Sequence, residues 1–139
     1  MFSKILIAHD GSPGGARALN TAILLARRLK AELHMISVEE LPRFPTSVDE
    51  VIEEKQEANH RFAQVISQAA AQAKSERVKL ATHVVAGHPV PAIVEFVELH
   101  HFDLLVIGYM GHTALYNRLI GGTTDRLVEL ARCAVLVVK

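Results

Sequence analysis

Short apolar, β-branched runs bounded by turn residues alternate along this chain with segments whose apolar residues recur at helical spacing. Lys4-Ile5-Leu6-Ile7-Ala8 is the first such run, and it stops at His9-Asp10-Gly11. Asp103-Leu104-Leu105-Val106-Ile107-Gly108 is the plainest, apolar without a break from Leu104 to Ile107. Such runs lack the in–out alternation of a strand with one wet face, so both of their faces must be covered. Strands covered on both sides and separated by helices form a parallel sheet between two helical layers. That constraint fixes an α/β fold before any single residue is considered.

The intervening segments supply the helices. Ser12-Pro13 predicts an N-cap and first helical position, followed by Ala16, Leu19, Ile23 and Ala26 at helical spacing. Arg27, Arg28 and Lys30 then crowd the last turn, where the helix dipole favours cations. Glu32 to Val38 reads as a second strand, and Leu41-Pro42-Arg43-Phe44-Pro45-Thr46 as a loop. Ser47 and Glu50 form a capping-box pair for a long helix. Its apolar stripe runs through Val48, Val51, Ile52, Phe62, Val65, Ile66, Ala69 and Ala73. Val78 to Ala86 is a third strand closed by Gly87-His88-Pro89, and the next helix turns Ile93, Val94 and Val97 inward. After Gly108 comes a glycine-punctuated loop, then a helix over 123–132 and a terminal strand, Ala134 to Val138. With 139 residues, no internal repeat and no linker, the chain reads as one domain over 1–139.

Composition narrows the function. Fifteen basic residues balance fifteen acidic ones, so no global field draws the protein to nucleic acid or to an anionic membrane. No apolar stretch approaches the roughly 18 residues of a membrane span. The amino terminus enters a strand with no signal-peptide layout, and Cys133 is the sole cysteine. These features predict a cytoplasmic protein. The eight histidines show no zinc-type spacing and read as surface or turn residues; His9 and His112 are set apart because they flank the loops considered next.

In open α/β sheets ligands bind beyond the carboxyl ends of the strands, where the strand order reverses. Ala8-His9-Asp10-Gly11-Ser12 is one loop suited to that place. The other runs from Gly108-Tyr109-Met110-Gly111 through His112 to Gly121-Gly122-Thr123-Thr124. Bare glycine backbone and a helix start are what a phosphate needs, and Thr123 and Thr124 add hydroxyls there. Two readings fit these residue types: a phosphate cradle, or turns with a threonine cap. Asp10 is equally double, as a carboxylate for ribose hydroxyls or as a helix cap. No lysine completes a P-loop pattern. Arg118 reads as a phosphate contact or a solvated side chain, and Asp125 as a Mg²⁺ ligand or a helix-dipole partner.

Over essentially its whole length the chain resembles the universal stress protein family. The resemblance is carried by Lys4 to Ser12, Ile36-Ser37-Val38, Gly87-His88-Pro89, Asp103 to Gly108 and Ala134 to Val138. The nucleotide-binding branch of that family carries Gly-x2-Gly-x9-Gly-(Ser/Thr), and Gly108, Gly111 and Gly121 fall at the three glycine positions. The resemblance implies an open five-stranded parallel sheet of order 3-2-1-4-5, of the adenine nucleotide alpha-hydrolase type. It implies that Asp10 meets the ribose, with Ala8 and His9 in the same turn. It also implies that Val38 holds the adenine and that Gly108, Gly111, Gly121, Gly122, Thr123 and Thr124 surround the phosphates. Gly87 marks the family's turn before the third helix.

One departure stands out. Gly122 occupies the place of the hydroxyl residue, removing a charge-assisted hydrogen bond worth about 1.5–3 kcal/mol unless a neighbouring threonine replaces it. AMP, ADP or cyclic AMP therefore join ATP, with or without Mg²⁺, as expected ligands. The resemblance further implies a homodimer joined through Val135–Val138, an apolar edge that natural sheets rarely leave bare. The expected function is that of an adenine-nucleotide-binding regulatory protein of the stress response. A weak ATPase or phosphotransferase, and a ligand-free dimeric interaction protein, are the alternatives.

Overall fold

The computed structural model describes residues 1–40, 48–109 and 122–139, with only the backbone at 48–51, 54, 55, 57–59 and 61. Five strands, β1 (Lys4–Ala8), β2 (Glu32–Glu40), β3 (Leu80–Gly87), β4 (Leu104–Gly108) and β5 (Ala134–Val138), form one sheet. All four strand pairs are parallel and the order is β3-β2-β1-β4-β5, as expected from the family resemblance. Among the described residues the helices are α1 (Pro13–Leu29), α2 (Val48–Ser75), α3 (Pro89–His100) and α4 (Thr123–Leu130).

Each strand contributes to two cores, which is why its residues are apolar on both sides. Ile5, Ile7, Leu33, Met35, Leu104 and Val106 pack under α1 and α2 against Ala22, Ile23, Ala69 and Ala73. Leu6, Ile36, Leu105 and Ile107 face the other way, toward Val90, Ile93 and Val97 of α3 and Leu127 of α4. Burying each of these larger side chains stabilises the fold by about 1.5–3 kcal/mol relative to exposure. Ser12 Oγ accepts from Gly15 N at 3.1 Å, the N-cap predicted for α1.

The structure corrects several details. The α2 stripe is buried at Phe62, Ala69 and Ala73, but Ile52 is 48% exposed. A 28-residue helix is about 42 Å long and outruns a sheet whose strands have five to nine residues, so its first turns lie beyond the core. The third strand starts at Leu80 rather than Val78, because Val78 N bonds to Ala73 O and closes the end of α2. α4 ends at Leu130 rather than Arg132, whose side chain instead pairs with Glu98 at 3.0 Å. The histidines are not all on surface or turns either: His34 and His83 lie within β2 and β3 and are partly buried. Ser47, the loop 41–46 and the segment 110–121 lie outside the described residues.

Candidate functional site

Strand order reverses between β1 and β4, and the carboxyl ends of these two strands mark the place where this fold offers a ligand a crevice. The first loop is tightly braced. His9 N donates to Ile36 O at 3.0 Å, and the buried Ser37 hydroxyl donates to His9 O at 2.8 Å, so the turn is stitched to β2. Asp10 Oδ1 accepts from Ser12 N at 3.0 Å, which closes the turn ahead of the Ser12 cap. Asp10 is exposed, and it shapes the loop in addition to presenting a carboxylate at the crevice.

His9 braces the same turn from inside. Its side chain is buried and its Nδ1 accepts from Gly11 N at 3.0 Å, so that nitrogen carries no proton. Burial pushes the imidazole below its ordinary value and outweighs the Asp10 carboxylate, which pulls the other way. A Cβ on Gly15 would stand 2.5 Å from that same Nδ1. The ring thus fills the space that a bare helix residue leaves, and its neutral form is the one that fits.

Gly108 ends β4 in a similar squeeze. A Cβ there would lie 2.6 Å from Gly14 O and 2.7 Å from Gly14 C, inside the backbone of the first turn of α1. Its lack of a side chain is therefore demanded by packing, whatever phosphate does. The Gly108 carbonyl accepts from Thr124 Oγ1 at 3.0 Å, which ties the start of α4 to the same point. The first turns of α1 and α4 and the end of β4 meet at one glycine.

That bond also redistributes the hydroxyls. A phosphate oxygen needs a donor, and the Thr124 proton is already spent on a carbonyl. Thr123 is exposed in the same first turn. Gly122 is the N-cap of α4 and brings no side-chain acceptor, in contrast to Ser12 at α1. The first amides of α4 thus lie at a strand's carboxyl end, where they suit an anion. Asp125 is exposed within that turn.

The remaining predicted residues divide in two. Ala8 pairs with Ile36 at the end of β1, Val38 pairs with Val85, and Gly87 ends β3 opposite Glu40. All three stand at the carboxyl ends of their strands, and Val38 is partly buried on the α3 side of the sheet. Gly111, His112 and Gly121 lie outside the described residues, as does Arg118. The Ser12 cap was read from the Ser12-Pro13 pattern, whereas the roles of Ser37 and Gly14 in bracing this end of the sheet were missed from the sequence.

Among the described residues, no cluster of three or more His, Cys, Asp or Glu is placed to hold a metal ion. No described helix is long and apolar enough to cross a membrane. Cys133 is half-buried, and burial raises its thiol above the usual range, so it is a poor nucleophile.

The sequence model of the universal stress protein family matches residues 1–139. Universal stress protein MJ0531 of Methanocaldococcus jannaschii is 34% identical, over all of this chain and 83% of its own length. Among solved structures, universal stress protein UspA from Lactobacillus plantarum superposes with a TM-score of 0.86 at 25% identity, covering 99% of this chain and 98% of that one. A universal stress protein crystallised in complex with cAMP superposes with a TM-score of 0.80 at 24% identity, covering 99% and 97%. With the family's sequence pattern spanning the whole chain and its strand order reproduced, this protein belongs to the universal stress protein family.

Proposed function

We propose that this protein binds an adenine nucleotide in the crevice between β1 and β4 and acts as a regulatory module of the stress response, working as a homodimer. The observation that carries the reading is the convergence at Gly108. There a helix start without a side-chain cap and the Asp10 turn are locked side by side at the carboxyl end of the sheet. Phosphates would lie on the amides of the Gly121–Thr124 region and on Gly111. Asp10 would receive ribose hydroxyls, and Val38 would support the base from the end of β2. The family member crystallised with cAMP supports an adenine nucleotide of this class.

Thr123 is the hydroxyl that would compensate for Gly122. Asp125, in the first turn of α4, would hold Mg²⁺ when a triphosphate is bound. β5 ends the sheet and is apolar throughout, Ala134-Val135-Leu136-Val137-Val138, which suits pairing with the same strand of a second copy.

Calorimetric titration with ATP, ADP, AMP and cyclic AMP tests the site. Wild type should bind at least one of them in the micromolar range. Gly121→Val should weaken that ligand by 100-fold or more while keeping the wild-type circular dichroism spectrum, because a branched side chain holds the backbone off the phosphates. Undiminished affinity in the folded variant would move the ligand elsewhere.

A further inference from the structure

The amino end of the sheet, away from the crevice, gathers three imidazoles. His34 and His83 project from neighbouring strands, and His100 ends α3 beside them. His34 Nδ1 and His83 Nε2 are 2.9 Å apart, and the rings lie within 9° of parallel with centroids 5.2 Å apart. That centroid distance is too long for face-to-face contact and fits two imidazoles joined edge to edge by one N–H···N bond. Phe96 of α3 lies 4.9 Å from the His83 ring and 4.4 Å from that of His100, while Phe102 meets His34 edge-on at 5.1 Å. The rings thus connect β2, β3, α3 and the turn into β4.

An N–H···N bond needs one nitrogen with a proton and one without. The pair accommodates no charge or one, and a second proton sets two N–H groups against each other. The surroundings do little to neutralise that charge. From β1, Lys4 holds its ammonium over the Phe102 ring at 4.8 Å. From β2, Glu32 is 3.4 Å from His34 Nε2, but it is well exposed and also 3.9 Å from Lys4 Nζ. Asp103 directs its carboxylate to the amides of Ser3 and Lys4. Arg27 and Lys30 of α1, with Arg77 and Lys79 ahead of β3, stand around an open groove of about 560 Å³ that His34 also lines. Arg27 is balanced by Glu76 at 2.9 Å.

We propose that this corner is an acid-sensitive clasp, which with one proton or none holds the edge strand β3 and the end of α3 on the sheet, and with a second proton releases them. His83 already lies below its ordinary value of 6.5, through burial first and then through the charges on His34 and His100. The unfolded or opened chain takes up the proton first as pH falls. The stabilisation is therefore complete above about pH 6.5 and drains away below it, down to the lower value of the closed form.

Hydrogen–deuterium exchange at pH 7.5 and 5.5, corrected for intrinsic rates, reads the clasp directly. Protection in residues 80–87 and in the second half of α3 should fall tenfold or more at pH 5.5, while β1 and β4 hold. The double variant His34→Phe/His83→Phe keeps flat rings in place and should lose the acid response. His9 titrates at the opposite end of the sheet, so its contribution would appear in the β1–α1 turn and not in β3. Equal loss of protection across all strands, or an unchanged acid response in the double variant, would overturn the proposal. Imidazole ¹⁵N shifts of the unmodified chain give a readout that needs no variant. A His83 titration displaced below the ordinary value is expected, and a step at the ordinary value would overturn the proposal.

Discussion

At Gly108 the bare backbone is the ligand motif's first glycine and also the only residue type that fits against Gly14. Gly108→Ala would push a methyl group to 2.6 Å from a carbonyl oxygen that belongs to backbone and cannot swing aside. Overpacking of this kind costs about 1–3 kcal/mol. Urea denaturation should show a lower midpoint in that variant with no nucleotide present. A midpoint equal to wild type would mean that the two loops can part without strain. Gly108 shows what the sequence made legible and what it hid. The Gly108/Gly111/Gly121 spacing was visible along the chain, but the contact with Gly14 bridges more than ninety positions and leaves no local pattern. Asp10 and His9 teach the same lesson. Their chemistry pointed to a ligand, yet the hydrogen bonds they accept from Ser12 N and Gly11 N, which fix their orientation, depend on the turn's geometry.

The elements were the most readable level, because periodicity is a local property. β4 came from an unbroken apolar run and α4 from the change at Gly122-Thr123, and both starts agree with the structure to within a residue. The ends of elements were harder to read. α2 closes through a left-handed Arg77 and the bond from Val78 N to Ala73 O, which took two residues from the strand expected there. What attaches α4 to the sheet was also invisible. Thr124→Val keeps the shape and removes the hydroxyl that donates to Gly108 O, and such a bond contributes about 0.5–1.5 kcal/mol. Thermal unfolding should register that loss, while Thr124→Ser should stay close to wild type. Wild-type stability in Thr124→Val would mean that the hydroxyl contributes nothing net to the attachment of α4.

For the molecule as a whole, strand order came from the family resemblance rather than from any run of residues, since no local signal says on which side of β1 the fourth strand will pair. That order makes β5 an edge whose neighbour on one side is β4, with Gly108 opposite Val138. If the proposed two-fold partner covers the other side, sedimentation at tens of micromolar should give twice the mass of one chain. Amides of residues 134–138 should then exchange faster on dilution to the nanomolar range. A single-chain mass at high concentration would leave β5 without that role. Nucleotide titrations run at both concentrations would show whether the two events are linked.

The meeting of Gly14, Gly108 and Thr124 has a practical bearing on altering this protein. Three backbone segments are pinned within the space of one missing methyl group, so the floor of the crevice behaves as a fixed casting. For the nucleotide site proposed above, new ligand preferences would have to be engineered from side chains such as Val38 and Thr123, where a substitution would change what is recognised without cracking the mould.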